Sequence, residues 1–365
     1  MSVPRTWVLL GQKAGDNNQL LALAGALGWP YEVRRLAFRR TELLTNLALR
    51  VTLLGMRRSD SDALEAPWPD LILTAGRRNE PVARWIRRRS GGRSRIVHLG
   101  RPWTHPRLFD LVVTTPQYQV PPLENVLQIS LPFVRVDEQR RRVSREIQER
   151  RLAALPRPWT AMLLGGDSGL TTFDEEEIGA LVDLVQADVT RSGGSLLVTT
   201  SARTPLWVPP LLESRITVPS RIHVWRPADP DNPYPGWLAL ADDFVVTGES
   251  VSMLAEAVAT GRPVRIYDPE RFHSKVFPGR RPRPWWLCGR NWRWKPLSTR
   301  FGTWVGPRRM SRDVRRIQDA LVAAGCAAFL GERSARSAAS VPSRGDDLDR
   351  AVARVRRLFP AAAGD

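Results

Sequence analysis

Short apolar, β-branched runs alternate along the chain with stretches long enough and amphipathic enough to be helices. In the first part the runs are Thr6–Leu10, Asp70–Thr74, Arg95–Leu99, Leu111–Thr114 and Val126–Ser130. Continuous apolar runs of this length are what a parallel strand buried on both faces requires. Helical periodicity falls between them, at Asn18–Leu27, Glu42–Leu54 and Pro81–Arg89. Strands and helices in strict alternation predict a doubly wound parallel sheet.

The alternation breaks at Asp137–Arg151, a charge-dense segment followed by Pro156 and Pro158, and then restarts. Strands are predicted at Trp159–Leu164, Ser195–Thr200, Phe244–Thr247 and Val264–Tyr267, with helices at Asp174–Thr190 and Ser250–Thr260. A Pro/Arg cluster at Pro278–Pro284 and a Trp-rich stretch at Trp285–Trp304 come next. Helices at Arg312–Ala324 and Asp346–Leu358 follow, separated by a Ser/Ala/Arg-rich loop at Ser334–Gly345. The expected architecture is therefore α/β, with two Rossmann-like doubly wound domains facing across a cleft. Residues 1–150 form the first and residues 157–333 the second. The charged segment is read as their connector, and helix 346–358 returns to the first domain.

Composition narrows the functional classes. The chain has 365 residues and 42% hydrophobic content, enough for two cores. No apolar run reaches the roughly 18 residues of a membrane-spanning helix. The N-terminus enters a strand-like segment without a signal-peptide pattern, so the cytoplasm is the expected location. Two cysteines, Cys288 and Cys326, do not make a disulfide framework or a Cys-ligated zinc site. His98, His105, His223 and His273 are scattered without ligand spacing, and no metal or other cofactor is expected. The formal charge of +18, nearly all from arginine, has two readings. It is a solvated surface, or it faces an anionic partner such as nucleotide phosphates, acidic lipid headgroups or nucleic acid. No nucleic-acid-binding motif is present, and no specific nucleic-acid partner is expected.

Three segments follow strand ends with small or polar residues and then open a helix, a geometry suited to phosphate. Gly11–Gln19 is more polar than a connecting loop needs. Asn17 or Asn18 suffices as the helix cap, which leaves Lys13, Asp16 and Gln19 over. This segment lacks dinucleotide and P-loop spacing. Leu164–Gly169 carries Gly165, Gly166, Asp167 and Ser168, where a ligand could approach bare backbone. Thr247–Glu256 carries Gly248, Glu249 and Ser250 at a helix start, with Glu256 two turns on. Arg203 leaves a neighbouring strand end. The first helix of interest elsewhere, Glu42–Leu54, is a core helix or an amphipathic helix for an anionic membrane. The Trp/Arg mixture at Trp285–Trp304 suits a core, a lipid interface, a sugar-stacking surface or a nucleic-acid groove.

The glycine loop, Glu256 and Gly261-Arg262-Pro263 resemble the C-terminal half of GT-B glycosyltransferases, especially the enzyme that adds GlcNAc to the lipid intermediate of peptidoglycan. The loop before the helix differs from that family in length. A second resemblance covers most of the chain. Lys13–Gln19, Ala75–Arg78, Leu99–Trp103, Thr114–Tyr118, Gly165–Ser168 and Thr247–Glu256 together resemble bacterial members of the mitochondrial-fission (elongated-mitochondria) family. The GT-B resemblance implies a nucleotide-diphosphate sugar as substrate, with the glycine loop on its diphosphate and Glu256 on the ribose hydroxyls.

The expected function is a metal-independent glycosyltransferase using a nucleotide sugar on a membrane-associated or envelope acceptor. The donor side comprises Gly165, Gly166, Ser168, Arg203, Gly248, Ser250 and Glu256. Asp16 is the candidate base with His98 in reserve, and Lys13, Asn17 and Arg77 line the acceptor side. The alternative is a non-catalytic adaptor at the inner face of the cytoplasmic membrane that keeps this fold.

Overall fold

The computed structural model describes residues 3–39, 51–134, 137–168, 173–268, 271, 312–332 and 344–359. Most of the predicted helix at Glu42–Leu54, the whole Trp-rich stretch and almost all of the loop at Ser334–Gly345 lie outside them. Residues 51–54 are described and are not helical. By its contacts the chain divides into two compact units. The first comprises Met1–Arg135, Gly306–Asp313 and Ser343–Asp365; the second comprises Val136–Val305 and Val314–Pro342.

The first unit is a six-stranded parallel sheet of β1 (Thr6–Leu10), β2 (Tyr31–Arg35), β3 (Leu71–Ala75), β4 (Arg95–Leu99), β5 (Leu111–Thr114) and β6 (Val126–Gln128). Their order across the sheet is β2-β1-β3-β4-β5-β6. Every residue of β1, β3 and β5 is buried, as the unbroken apolar runs require. β2 is absent from the sequence reading because its composition, YEVRR, is that of a solvated strand. It lies at the sheet edge, where charged side chains reach water while backbone pairing from Thr6↔Tyr31 to Leu10↔Arg35 holds it.

Helix α1 (Ala14–Leu27) starts earlier than its apolar periodicity suggests, and ends at Gly28 with φ 68, the left-handed value that suits glycine. Helix α2 (Asn79–Arg89) buries Val82, Ala83 and Ile86. The core on the α1 side contains Leu20, Leu23 and Leu27. It is completed by Ala351, Val352 and Val355 of the chain's last described helix, Arg344–Arg356, which packs on α1 and β5.

In the second unit the charged helix α3 (Glu138–Leu152) is not a bare connector. It packs on α6 (Tyr234–Leu240), where Gln148 accepts from Trp237 Nε1 at 3.2 Å, and Gly236 leaves room for the backbone of Ser144. The strands are β7 (Trp159–Leu163), β8 (Ser195–Thr199), β9 (Ser220–His223), β10 (Asp243–Thr247), β11 (Val264–Tyr267) and β12 (Ala328–Phe329). They pair in parallel in the order β12-β11-β10-β7-β8-β9. The covering helices include α4 (Glu175–Ser192), α5 (Val208–Arg215), α7 (Val251–Val258) and α8 (Arg315–Ala323). The prolines that obscured α5 and α6 in the sequence sit in their first turns, where no helical N–H is lost. Among the described residues no helix is long and apolar enough to cross a membrane.

Both sheets have one place where the strand order reverses direction, between β1 and β3 and between β7 and β10. The crevice beyond the strand C-ends at such a point is where doubly wound sheets bind ligands. The last helix of the first unit is expected to be integral to that unit's stability. Truncating fully buried Val355 to alanine should cost about 2 kcal/mol, read as a shift in the urea midpoint of unfolding.

Candidate functional site

In the second unit the reversal point is flanked by Leu164–Ser168 after β7 and Gly248–Ser250 after β10. Ser201–Thr204 follows the adjacent strand β8. These loops are tied together. Gly165 N donates to Thr247 Oγ1 at 2.8 Å, and Gly166 N donates to Glu249 Oε1 at 2.7 Å. Ser201 Oγ donates to Gly165 O at 2.6 Å, and Thr204 Oγ1 makes a further bond to the same carbonyl. The glycines are required by closeness: a Cβ on Gly165 would collide with the Glu249 carboxylate, and one on Gly166 with the Arg203 backbone.

This corrects the expected role of the two glycines. Their N–H groups are committed to protein oxygens, so they build the loop rather than cradle an anion. Gly248 is likewise structural: its N–H donates to Tyr267 O at 2.8 Å, and a Cβ there would strike the Gln318 amide on α8.

Several other groups gather at this point. Ser250 occupies the N-cap of α7 without a side-chain capping bond, so that helix start relies on other partners for its first N–H groups. Arg203 is partly exposed and sits 3.8 Å from Glu249, while its Nη1 reaches the carbonyls of Gly166 and Asp167 at 3.3 and 3.4 Å. Burial pushes the Glu249 carboxyl up, opposed by Arg203 and by the Gly166 N–H. Ser168 is half-buried at the same loop. Glu256 lies further along α7 and accepts a hydrogen bond from the Tyr234 hydroxyl. Tyr234 is held well above its usual range, by burial first and by Glu256 second.

In the first unit the reversal point is flanked by the β1–α1 loop and by Gly76–Arg78. Asn17 is not the cap of α1; Lys13 is. Asn17 instead clamps Gly11, accepting from its N–H at 3.0 Å and donating to its carbonyl at 2.9 Å. Asp16, ion-paired with the exposed Lys13 at 3.9 Å, lies over Gly76, whose φ of 73 lets the chain turn there. Arg77 stacks on the Trp103 ring at 4.9 Å. Lys13, Asp16 and Arg77 are therefore on this one edge.

His98 is not available as a base. It is fully buried in β4 beside Phe109, and burial pushes its pKa down to about 4. Its neighbour Glu80, 3.9 Å away and also buried, escaped the sequence reading because it sits inside an ordinary amphipathic helix. Glu80 accepts from Trp103 N at 2.6 Å and Thr104 N at 3.0 Å, fixing the loop after β4. Burial raises its pKa to about 7 despite those bonds. Gln117 and Tyr118 lie in the Thr114–Tyr118 motif after β5, and Gln117 accepts from Arg312 Nε at 2.8 Å.

A family model described as "Mitochondrial fission ELM1" matches residues 14–280. The Mitochondrial fission protein ELM1 of Arabidopsis thaliana is 26% identical over 234 residues, 58% of this chain and 54% of that protein. The chain thus spans about half the length of that relative. The uncharacterized protein RP120 of Rickettsia prowazekii (strain Madrid E) is 22% identical over 307 residues, covering 74% of this chain and 86% of its own. Among solved structures, a UDP-glucosyltransferase from Polygonum tinctorium aligns with TM-score 0.46 and 10% identity, covering 97% and 99% of the two chains. The E. coli ADP-heptose LPS heptosyltransferase II aligns with TM-score 0.43 and 13% identity, covering 72% and 84%.

The buried pair Glu80 and His98 gives opposing pH dependences. Glu80, raised to about 7, contributes stability that is full below its ordinary 4.5 and is lost as pH rises through 7. His98, lowered to about 4, makes stability fall as pH drops from 6.5 toward 4. Replacing Glu80 with glutamine removes the first and leaves the second. The stability advantage of the native chain over Glu80→Gln should shrink by roughly 2–4 kcal/mol as pH rises across that window. Urea unfolding at a series of pH values checks it, and a pH-independent difference would show that Glu80 does not titrate there.

Proposed function

The chain belongs to the mitochondrial fission ELM1 family, and from that premise we propose that it is a nucleotide-sugar-dependent glycosyltransferase acting on a membrane-associated or envelope acceptor. The observation that carries the reading is the second unit's reversal point. There an uncapped helix start at Ser250 and the partly exposed Arg203 meet a glycine loop locked by Thr247 and Glu249. A helix N-terminus beside a guanidinium suits a diphosphate. The resemblance of the glycine loop, Glu256 and Gly261-Arg262-Pro263 to GT-B enzymes supports the same reading from the sequence.

In the proposed chemistry the sugar's anomeric carbon is attacked by an acceptor hydroxyl, and its bond to the nucleotide diphosphate breaks. Negative charge grows on the departing diphosphate oxygen. The α7 start and Arg203 would stabilise it, since fixed dipoles and charges need no reorganisation as the bond breaks. Glu256, steadied by Tyr234, would bind the ribose hydroxyls, and Ser168 would lie alongside. The acceptor's proton would pass to a carboxylate base and on to solvent. No metal is assigned a role in this scheme. The net charge of +18 supports an acceptor at an anionic surface, with the protein peripheral on the cytoplasmic face of the membrane.

Calorimetric titration with UDP, ADP and GDP tests the donor side. At least one should bind, and Arg203→Gln should weaken it about tenfold, the usual effect of losing a charge-assisted hydrogen bond. The matching nucleoside should be less affected, because Arg203 addresses phosphate. Absence of binding by every nucleoside diphosphate at millimolar concentration would overturn the proposal.

A further inference from the structure

The first unit gathers three arginines over the C-ends of three consecutive strands. Arg77 follows β3, Arg101 follows β4, and Arg312 is brought to the loop after β5 by Gln117. All three are half-buried. Two rings organise them: the Trp103 ring has Arg77 at 4.9 Å and Arg101 at 5.8 Å, and Arg101 is also 5.7 Å from the Tyr118 ring.

The placement is enforced from below. Buried Glu80 holds the backbone of Trp103 and Thr104, and therefore the ring on which two arginines stack. Gln117, itself buried, accepts from Arg312 Nε at 2.8 Å while donating to Thr115 Oγ1 at 2.9 Å. Its backbone carbonyl also accepts from Asp313 N at 2.8 Å. Arg312 is remote in sequence from the rest, and these bonds to one buried glutamine seat it.

Gathering half-buried guanidiniums costs stability through desolvation and mutual repulsion. Burial is the main cause that pushes Arg101 below its ordinary range. Arg312 and Arg77 push in the same direction, while Tyr118 and Glu80 oppose them. Asp16 acts on Tyr118 and Glu80 on Arg101, and Glu80 is engaged with the Trp103–Thr104 backbone. A guanidinium's planar fork of donors matches the spacing of phosphate oxygens.

We propose that Arg77, Arg101 and Arg312 form an anion site that takes a phosphate or diphosphate group of the acceptor substrate. The acceptor role rests on the glycosyl-transfer reading above; the site itself does not. Several arginines from separate loops suit a multiply charged, tetrahedral anion better than a single carboxylate, which one bidentate arginine satisfies. Trp103 and Tyr118 supply aromatic faces beside it. Phosphate borne on a lipid carrier and phosphate borne on a soluble sugar share this chemistry.

The test is calorimetric titration of the full-length protein with sodium pyrophosphate, with a nucleoside diphosphate titrated in parallel. Arg77→Gln, Arg101→Gln and Arg312→Gln should each weaken pyrophosphate about tenfold or more, and leave nucleotide affinity unchanged. Arg203→Gln should weaken the nucleotide. Arg77→Lys keeps the charge but loses the fork, and should lie between the native chain and Arg77→Gln; circular dichroism checks that each variant is folded. Pyrophosphate affinity unchanged in the double variant Arg77→Gln/Arg101→Gln overturns the site. Loss of pyrophosphate binding in these variants with no nucleotide binding by the native chain supports the site and removes only the transferase reading. Capture on phosphatidylcholine vesicles doped with a polyprenyl diphosphate, competed by pyrophosphate and lost in Arg101→Gln, identifies a lipid-borne group. Pyrophosphate binding without such capture identifies a soluble phosphorylated acceptor. Retention on phosphatidylglycerol vesicles that pyrophosphate does not compete, and that Arg101→Gln abolishes, overturns the diphosphate assignment.

Discussion

A buried carboxylate that accepts backbone N–H bonds from a neighbouring loop is the interaction on which both candidate sites depend. In the second unit Glu249 does this for Gly166, and in the first Glu80 does it for Trp103 and Thr104. Taking a carboxylate out of water is costly, and both groups are pushed upward by burial as a result. The cost is tolerated because each bond fixes a loop that no strand pairing would hold. Loops at strand C-ends have little apolar surface with which to hold a conformation, so directional polar contacts must supply what packing cannot.

The same economy explains the glycines. Gly165 and Gly166 stand where the Glu249 carboxylate and the Arg203 backbone come too close for any side chain, and Gly248 stands against Gln318. A glycine-rich loop is commonly read as backbone offered to a ligand. Here the closeness brings three loops together, beside the start of α7 and Arg203. The first unit uses a different device. Asn17 bonds both backbone groups of Gly11, and aromatic rings rather than carboxylates space the arginines.

The two sheets put these devices at equivalent places. The reversals of strand order, β1/β3 and β7/β10, bring loops far apart in sequence to one edge. Thr247 lies far along the chain from Gly165, yet the parallel pairing of β10 with β7 makes their hydrogen bond a local event. This is why the motifs could be singled out one by one from the sequence while their mutual contacts could not.

The sequence by itself determined the class of the fold and most of its strands. A strand buried on both faces has to be a continuous apolar run, and β1, β3, β5, β7 and β10 are such runs. It also singled out the loops after β1, β7 and β10, because Lys13, Asp16, Gly165, Gly166 and Glu249 are polar or glycine where a plain connection has no need of them. Edge strands β2 and β9 were invisible because solvent on one side erases the apolar signal. Only the tertiary structure decided the roles. It buried His98 and thereby removed it as a base, made Asn17 a clamp, committed the glycine N–H groups, and raised Glu80 from an unremarked helix residue to the support of the Trp103 loop. It also carried Arg312 to Gln117 across almost two hundred residues. Those outcomes depend on distances between segments remote in sequence, and a side chain's protonation and partners follow from that surrounding rather than from its type.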